Sequence, residues 1–537
     1  MATLSINGHP LTATPALSLF DHAESAGIRV PTSCRKQGKC KECMVEIVDG
    51  MNCLTPRTEF EEHLKGAFRL SCQARPTASE GHLRCHTMRR GAMQIEVGRI
   101  GLPACPRAEG AGRSDYVPPH PYGLALDLGT TTVVLRLLDL RTGAILAVSS
   151  FENPQRFGGS EVMSRIQYDT DNRGKLLMRT LAGYLTHAIE EFPVDPHDIG
   201  EMVIAGNSTM RDLFFGLNVY TIGQNPYRSI TEIEVAEGKR ATTSLLSTGR
   251  QCLLPIHPEA RVYGAPIISG HVGADAAACM LAVDLAHEER LAAIMDIGTN
   301  TELIVGNRRR MMAASCPAGP AFEGGAIACG MPALEGAIED VSIDFRGDFH
   351  FTVIGGQIGD KDVPQGICGS GLVALLGELL RTGRMNDMGR FADGASRIDI
   401  APGIYLLESD VNELAQAKGA NAAGLHTVFS EYGIDFDEIE VFYLAGGFGR
   451  HLSVEAAQRI GLIPNIPVER VVQAGNASIE GATIALLSEK KRGEMEAMVR
   501  RVEHCRLETN PRFFDFFVDG CQFKPIERLR EVAAAWN

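Results

Sequence analysis

The sequence lacks any run of eighteen consecutive apolar residues, and its start, MATLSINGHP, has neither a basic n-region nor an apolar h-region. Neither a membrane span nor a secretory leader is expected, and the chain reads as a cytoplasmic protein. A long Lys/Arg stripe is also missing, and the formal net charge is −14, which argues against a general nucleic-acid binder. No GxxxxGK[ST] turn occurs, so phosphate is not held by a P-loop, and no GxGxxG unit for a nicotinamide or flavin nucleotide is evident. The remainder is ordinary globular material, 45% hydrophobic and 22% charged over 537 residues. That length exceeds one core and suits three or four domains.

Cysteine is plentiful, at 14. Disulfide frameworks belong to small secreted chains, and Cys279, Cys316, Cys329 and Cys368 sit among Ala and Gly as buried small hydrophobes would. Four N-terminal cysteines stand apart. Cys34, Cys40 and Cys43 read Cys-x5-Cys-x2-Cys, and Cys72 follows in FRLSCQAR. A 2Fe–2S cluster needs four thiolates, with three commonly offered by one tight loop. Gly38 allows that loop to curl so that amides face sulfur. The first gap of five resembles the bacterial and adrenodoxin-like ferredoxins. Zinc is the nearest competitor, but zinc sites usually join two paired knuckles, and Cys72 has no Cys-x2-Cys partner. Cys53, Cys85 and Cys105 read as bystanders. Arg35, Lys36, Lys39 and Lys41 form either a solvated rim or a basic collar for an acidic partner.

Residues 1–88 form the cysteine-bearing unit, with SINGHPLTAT as a hairpin, LSLFDHAESAGI as a short helix and CMVEIVDG as a strand. Residues 89–121 turn to Gly, Pro and Arg and read as a connector. Then YGLALDLGTTTVVLRLLDLRTGAILAVSSF predicts a three-strand meander. LAAIMDIGTNTELIVGNRRRMMAASC repeats it 169 positions later, which points to two related subdomains, 122–290 and 291–537. Helix-forming stretches follow each copy (LMRTLAGYLTHAIEEF, AAACMLAVDLAHEERL, GLVALLGELLRTG), so the layering is α/β.

Each copy opens on an Asp-x-Gly turn. Gly129 and the hydroxyls of Thr130, Thr131 and Thr132 can meet phosphate oxygens, and Asp127 can hold magnesium through water. Asp296, Gly298, Thr299 and Asn300 repeat that set. A strand in EVFYLAGGFGRH runs into Gly446, Gly447 and Gly449, where bare backbone can approach adenine and ribose. GHVGADAAA and GNASIEGATIALL are small-residue helices suited to a close crossing, as at a hinge between lobes. A lone Asp-x-Gly hairpin carries little information. The order of all five elements resembles the actin, hexokinase and Hsp70 superfamily (the ASKHA fold), in which ATP sits between two RNase H-like lobes.

A ferredoxin-type domain, a connector and such an ATPase together resemble the reductive activators of corrinoid-dependent methyltransferases. FENPQRFGGSEVMSRI, IAGNSTM, CPAGPAFEGGAI, GICGSG and LAGGFGRHL carry the resemblance, which spans essentially the whole chain. Two positions depart from the family pattern, Arg211-Asp212 after IAGNSTM and His271 in GHVGAD; both bear on partner choice. The resemblance implies a β-grasp ferredoxin domain ahead of a two-lobed RNase H-like ATPase, with a 2Fe–2S cluster, ATP and Mg2+ as cofactors. It implies that the chain returns inactive cobalt(II) of a corrinoid protein to cobalt(I), fed by an upstream low-potential electron donor. Asp127 and Asp296 are then the expected catalytic carboxylates, and Ser315, beside Cys316, a candidate corrinoid contact. A homodimer is weakly expected. Two alternatives stay open at this point: a nucleotide-gated redox sensor, and an activator of a radical dehydratase, against which the ferredoxin domain argues. A stimulation of ATP turnover by a corrinoid protein would separate the first.

Overall fold

The computed structural model describes residues 3–77, 81–88, 119–356, 364–447 and 452–526. These form two compact units, one ending at Gly264 and the other beginning at Ala265. Most of the expected connector (89–118) and Gly449 lie outside the described residues.

The first unit opens with a five-stranded sheet ordered β2-β1-β5-β3-β4, from β1 (Thr3–Ile6), β2 (His9–Thr12), β3 (Met44–Asp49), β4 (Phe68–Leu70) and β5 (His82–Thr87). Asn7 and Gly8 turn the first hairpin with φ of 53° and 83°, as a tight hairpin requires. Helix α1 (Leu19–Ser25) starts at a Ser18/Asp21 capping box and buries Leu19, Phe20 and Ala23. This is the β-grasp arrangement expected.

The first of the two repeated lobes follows in the same unit. Its sheet runs β10-β11-β9-β6-β7-β8, with β6 (Tyr122–Leu128), β7 (Thr132–Asp139), β8 (Ile145–Glu152), β9 (Ile199–Gly206), β10 (Leu245–Thr248) and β11 (Arg261–Gly264). The meander β6–β8 is antiparallel, and β9 returns parallel to β6 after helices α2 (Val162–Asp171) and α3 (Leu176–Glu190). Helices α4 (Ser208–Phe214) and α5 (Ile230–Ala236) complete the lobe. One apolar core joins Cys43, Met44, Leu70 and Cys72 of the ferredoxin domain to Leu124, Phe151, Phe157 and Tyr184 of the lobe.

The second unit repeats the plan. After α6 (Ala274–Ala282), the strands β12 (Ala292–Ile297), β13 (Asn300–Gly306) and β14 (Met311–Pro317) form the meander, followed by the side sheet of β15 (Ala337–Ile343), β16 (Phe349–Val353) and β17 (Gly366–Ile367). Helix α7 (Gly369–Arg381), the hairpin β18 (Arg397–Ala401) and β19 (Ile404–Leu407), and the long α8 (Glu408–Tyr432) lead to β20 (Val441–Gly446), parallel to β12. Then come α9 (Val454–Ile460), β21 (Val471–Gly475), α10 (Ala477–Leu487), α11 (Glu489–Val499), β22 (Val502–His504) and α12 (Phe513–Gly520). The sheet order, β21-β20-β12-β13-β14-β22, again puts a parallel strand beside the first strand of the meander.

Two expectations change. The helix expected through AHEERL stops at Ala282, because Asp284 adopts φ of 54° and the amides of Val283 to Leu285 bond back to Cys279, Leu281 and Met280. The small-residue helices α6 and α10 do cross closely, since a Cβ on Gly481 would stand 2.0 Å from the Ala278 carbonyl oxygen. Both, however, belong to the second unit. The contact boundary falls at Gly264, ahead of α6.

Candidate functional site

Cys34, Cys40 and Cys43 lie on the loop between α1 and β3, where Arg35, Lys36, Gly38 and Lys41 all have positive φ. Gly38 is required there: its φ is 74°, and a Cβ would stand 2.9 Å from the Phe60 ring. Cys72 comes back beside Cys43 because β4 pairs antiparallel with β3 (Met44 opposite Leu70) and the Ser71 amide bonds the Cys43 carbonyl at 2.8 Å. The four thiols act in two pairs. Cys43 hydrogen-bonds Cys72, which pushes Cys43 well up and, with Gln73 and the Gly38 amide, brings Cys72 down to about 6. Burial raises Cys34, but hydrogen bonds from Cys40 and the amides of Lys39 and Gln37 outweigh it and leave the thiol lowered. Burial leaves Cys40 raised. Four clustered thiols with amides directed at sulfur fit a 2Fe–2S cluster's donor set. Gln73 Nε2 adds a bond to Cys72 Sγ at 3.3 Å.

The basic residues divide. Lys36 pairs with Asp21 and Glu24, each at 2.8 Å, and Lys41 donates to the Phe60 carbonyl. Arg35 and Lys39 are exposed. The loop is gripped from the first lobe by α3, where the buried Tyr184 hydroxyl donates to the Glu42 carbonyl at 2.9 Å.

The two phosphate turns differ. The first has three residues, Gly129–Thr131, between β6 and β7; the second has two, Gly298 and Thr299, between β12 and β13. Asp127 therefore faces Val134 across the strands, whereas Asp296 faces Glu302. Arg165 and Asn153 hold the first turn by its carbonyls: Arg165 donates to Thr130 O at 2.6 Å, and Asn153 Nδ2 to Gly129 O at 2.8 Å. Thr130 is buried, while Thr131 and Thr132 are half-buried.

Around the second turn, side chains carry the polarity. Burial and the carboxylates of Asp275 and Asp296 push Glu302 well above the usual range, and Ser315 Oγ donates to Glu302 Oε1 at 3.1 Å. Cys279 Sγ donates to Asp296 Oδ2 at 3.3 Å, and Thr299 Oγ1 donates to Glu323. Ser315 thus spends its hydroxyl within the lobe. Cys316 points the other way, bonding Ala420 O at 3.0 Å, with burial pushing its thiol up to about 12. Asn300 opens β13 and is half-buried.

Gly446 stands opposite Ile297, with φ of 115°, and a Cβ would come within 2.4 Å of the Ile297 carbonyl oxygen. Gly206 occupies the matching place opposite Leu128 in the first unit, with a Cβ 2.5 Å from Leu128 O. Both strands reach the turns so closely that only glycine fits. Gly447 faces open space.

Family comparison agrees along the chain. Residues 4–77 match the 2Fe-2S iron-sulfur cluster binding domain, 122–288 the RACo middle region, and 290–532 the C-terminal domain of RACo, the ASKHA domain. The corrinoid activation enzyme RamQ of Eubacterium limosum is 32% identical over 447 residues, 76% of this chain and 72% of that protein. The chain belongs to the RACo family. A second RACo-like relative, the [Co(II) methylated amine-specific corrinoid protein] reductase of Methanosarcina barkeri, is 26% identical over 419 residues, covering 74% of this chain and 76% of its own. A solved structure, the reductive activator for corrinoid,iron-sulfur protein, superposes with a TM-score of 0.69 at 25% identity, covering 98% of this chain and 99% of that one.

Sequence reasoning on this RACo chain missed Asn153, Arg165 and Glu302. A signal existed for the strand ends, because Ala205-Gly206 and Ala445-Gly446 extend the internal repeat. The departure at Arg211-Asp212 is a fully buried ion pair at 2.7 Å, with Ser229 donating to Asp212 at 2.6 Å and Arg211 to Thr231 at 3.1 Å. It fastens α5 within the first lobe. His271 is half-buried, and burial, with His271 as a lesser cause, lowers His504 to about 4.

Proposed function

We infer that this chain is an ATP-dependent corrinoid-reducing activator, returning cobalt(II) of a partner corrinoid protein to cobalt(I). The observation that carries the reading is one chain holding both a four-thiol ferredoxin loop and an ASKHA domain, matched over 98% of its length by a reductive activator for a corrinoid, iron–sulfur protein and over 76% by a corrinoid activation enzyme. Cys34, Cys40, Cys43 and Cys72 hold a 2Fe–2S cluster, which supplies a one-electron carrier. The amides of Gln37, Gly38 and Lys39, with Gln73, stabilise negative charge on the thiolates.

Within the first unit, the backbone of Gly129–Thr132 forms a phosphate-receiving turn, with Asp127 as the carboxylate that would hold Mg2+ through water. Within the second, the backbone of Gly298–Asn300 forms another, with Asp296 as its carboxylate and Gly446, Gly447 and Gly449 admitting the adenosine. Asp296, facing Glu302 and bonded by Cys279, is oriented to position the attacking water. Arg35 and Lys39, exposed at the thiol loop, offer positive charge to an acidic partner. An upstream low-potential donor of electrons completes the system.

Nucleotide is needed because the cobalt(II)/cobalt(I) couple lies very low. For one electron about 59 mV corresponds to about 1.4 kcal/mol. A coupling free energy of about 1–3 kcal/mol therefore moves a potential by roughly 40–130 mV. The test is anaerobic absorbance of a cobalt(II) corrinoid protein mixed with this protein and a low-potential reductant, with and without Mg-ATP. A cobalt(I) band that needs ATP supports the reading. Bleaching of the iron–sulfur band while cobalt(II) persists with every candidate partner refutes it.

A further inference from the structure

The stretch FENPQRFGG joins both chemical centres of the first unit. Asn153, fully buried, donates from Nδ2 to Gly129 O at 2.8 Å and from its amide to Thr131 O at 2.7 Å. One residue thereby grips the carbonyls on both sides of Thr130. Its Oδ1 accepts from the Gln155 amide at 2.9 Å and caps the 3₁₀ turn Pro154–Gly158.

That same turn reaches the ferredoxin domain. Arg156 bonds Glu152 at 3.1 Å and Glu46 at 3.4 Å. Glu46 lies on β3, three residues after Cys43, and pairs with Phe68 on β4, the strand that delivers Cys72. Phe157 stands edge-on to His63 at 6.1 Å and to Tyr168 at 5.3 Å, and the Tyr168 hydroxyl donates to His63 O at 3.1 Å. Gln155 Nε2 donates to Leu177 O at 3.3 Å, at the start of α3, the helix whose Tyr184 holds Glu42.

We propose that the 153–158 turn transmits nucleotide occupancy at the first phosphate turn to the iron–sulfur loop, with Asn153 and Arg156 as positioning residues. The proposal rests on the ATP-dependent reading above. The Gly129 amide is bonded within the turn to Thr132 O at 3.0 Å, so phosphates drawing on the amides of Thr130 and Thr132 must move the Gly129 and Thr131 carbonyls of the same peptide units, which Asn153 holds. Asn153 is buried and fully bonded, and close-packed interiors pass such shifts on rather than absorb them. The displacement leaves through Arg156 and Phe157 to β3 and β4, whose ends carry Cys43 and Cys72. The Arg156–Glu46 contact is long at 3.4 Å, and Arg156 keeps its second partner, the buried Glu152, when Glu46 is changed. Glu46→Gln therefore isolates the coupling, whereas Arg156→Gln also removes the counter-charge of Glu152 and is read alongside its urea midpoint.

The experiment uses iron–sulfur-loaded wild type, Glu46→Gln and Arg156→Gln, each with and without a non-hydrolysable Mg-ATP analogue. Visible circular dichroism reads the cluster, amide hydrogen exchange reads residues 40–48, and calorimetry reads nucleotide affinity. Nucleotide should change both the dichroism and the exchange in wild type. The two variants should keep nucleotide affinity within twofold and lose more than half of both changes. Variants that respond like wild type overturn this proposal alone, as does a wild type that binds nucleotide without any change at the cluster. A wild type that binds no nucleotide overturns the ATP-dependent reading with it.

Discussion

Asp212 and His426 are both buried, one in an ion pair and one without. Asp212 pairs with the Arg211 guanidinium at 2.7 Å and accepts from Ser229 at 2.6 Å. Asp212→Asn leaves the Arg211 guanidinium buried without its counter-charge, so the first unit should lose about 3–5 kcal/mol in urea denaturation. A loss below about 1 kcal/mol would show that the pair is dispensable. His426 is held neutral: burial lowers it to about 4, its ring stacks on Phe516 at 5.0 Å, and Nδ1 has no hydrogen-bond partner among the described residues. An unfolded chain protonates that ring near about 6.5. Between that pH and 4 the unfolded state binds more protons, so stability falls as pH falls, by up to about 1.4 kcal/mol per pH unit. His426→Phe should flatten the pH dependence of the urea midpoint in this window and leave its slope above pH 7 unchanged; an identical slope would contradict the assignment.

Among elements, the paired turns show what a repeat conceals. DLGTTT and DIGTNT align residue for residue, yet one closes in three residues and the other in two. Side-chain packing across β12–β14 sets that register, placing Glu302 between Asp296 and Ser315, and no local pattern records it. Asp296→Asn should therefore lower kcat for ATP about a hundredfold with little change in KM. Asp127→Asn should act mainly on KM; equal losses of kcat would show that the turns share the chemistry. Local patterns were readable where near neighbours set them: the Cys34 loop, the short helix through Leu19 and both meanders. The contacts that join centres were not. Glu42 meets Tyr184 across 142 positions and Asn153 meets Gly129 across 24. Each pair consists of a polar side chain and a backbone carbonyl, which leaves no composition signal. The break in the helix after Ala282 was equally hidden, because Asp284 in a left-handed conformation looks like any solvated acid in a helical pattern.

At the scale of the whole molecule, the thiol loop and the first phosphate turn belong to one compact unit and share an apolar cluster, while the second turn and its carboxylates belong to the other. Nucleotide chemistry and electron delivery are thus housed so that a change at one phosphate turn is felt in the protein mass that carries the thiols. The central claim is that nucleotide makes an unfavourable electron transfer to cobalt proceed. Its most direct measurement is an anaerobic single turnover: pre-reduced protein, freed of excess reductant, mixed with a cobalt(II) corrinoid protein while the visible spectrum is followed. With Mg-ATP the account predicts up to one cobalt(I) formed per reduced 2Fe–2S centre, in step with reoxidation of that centre, and almost none without nucleotide. Cobalt(I) forming at the same rate and extent without ATP would contradict it.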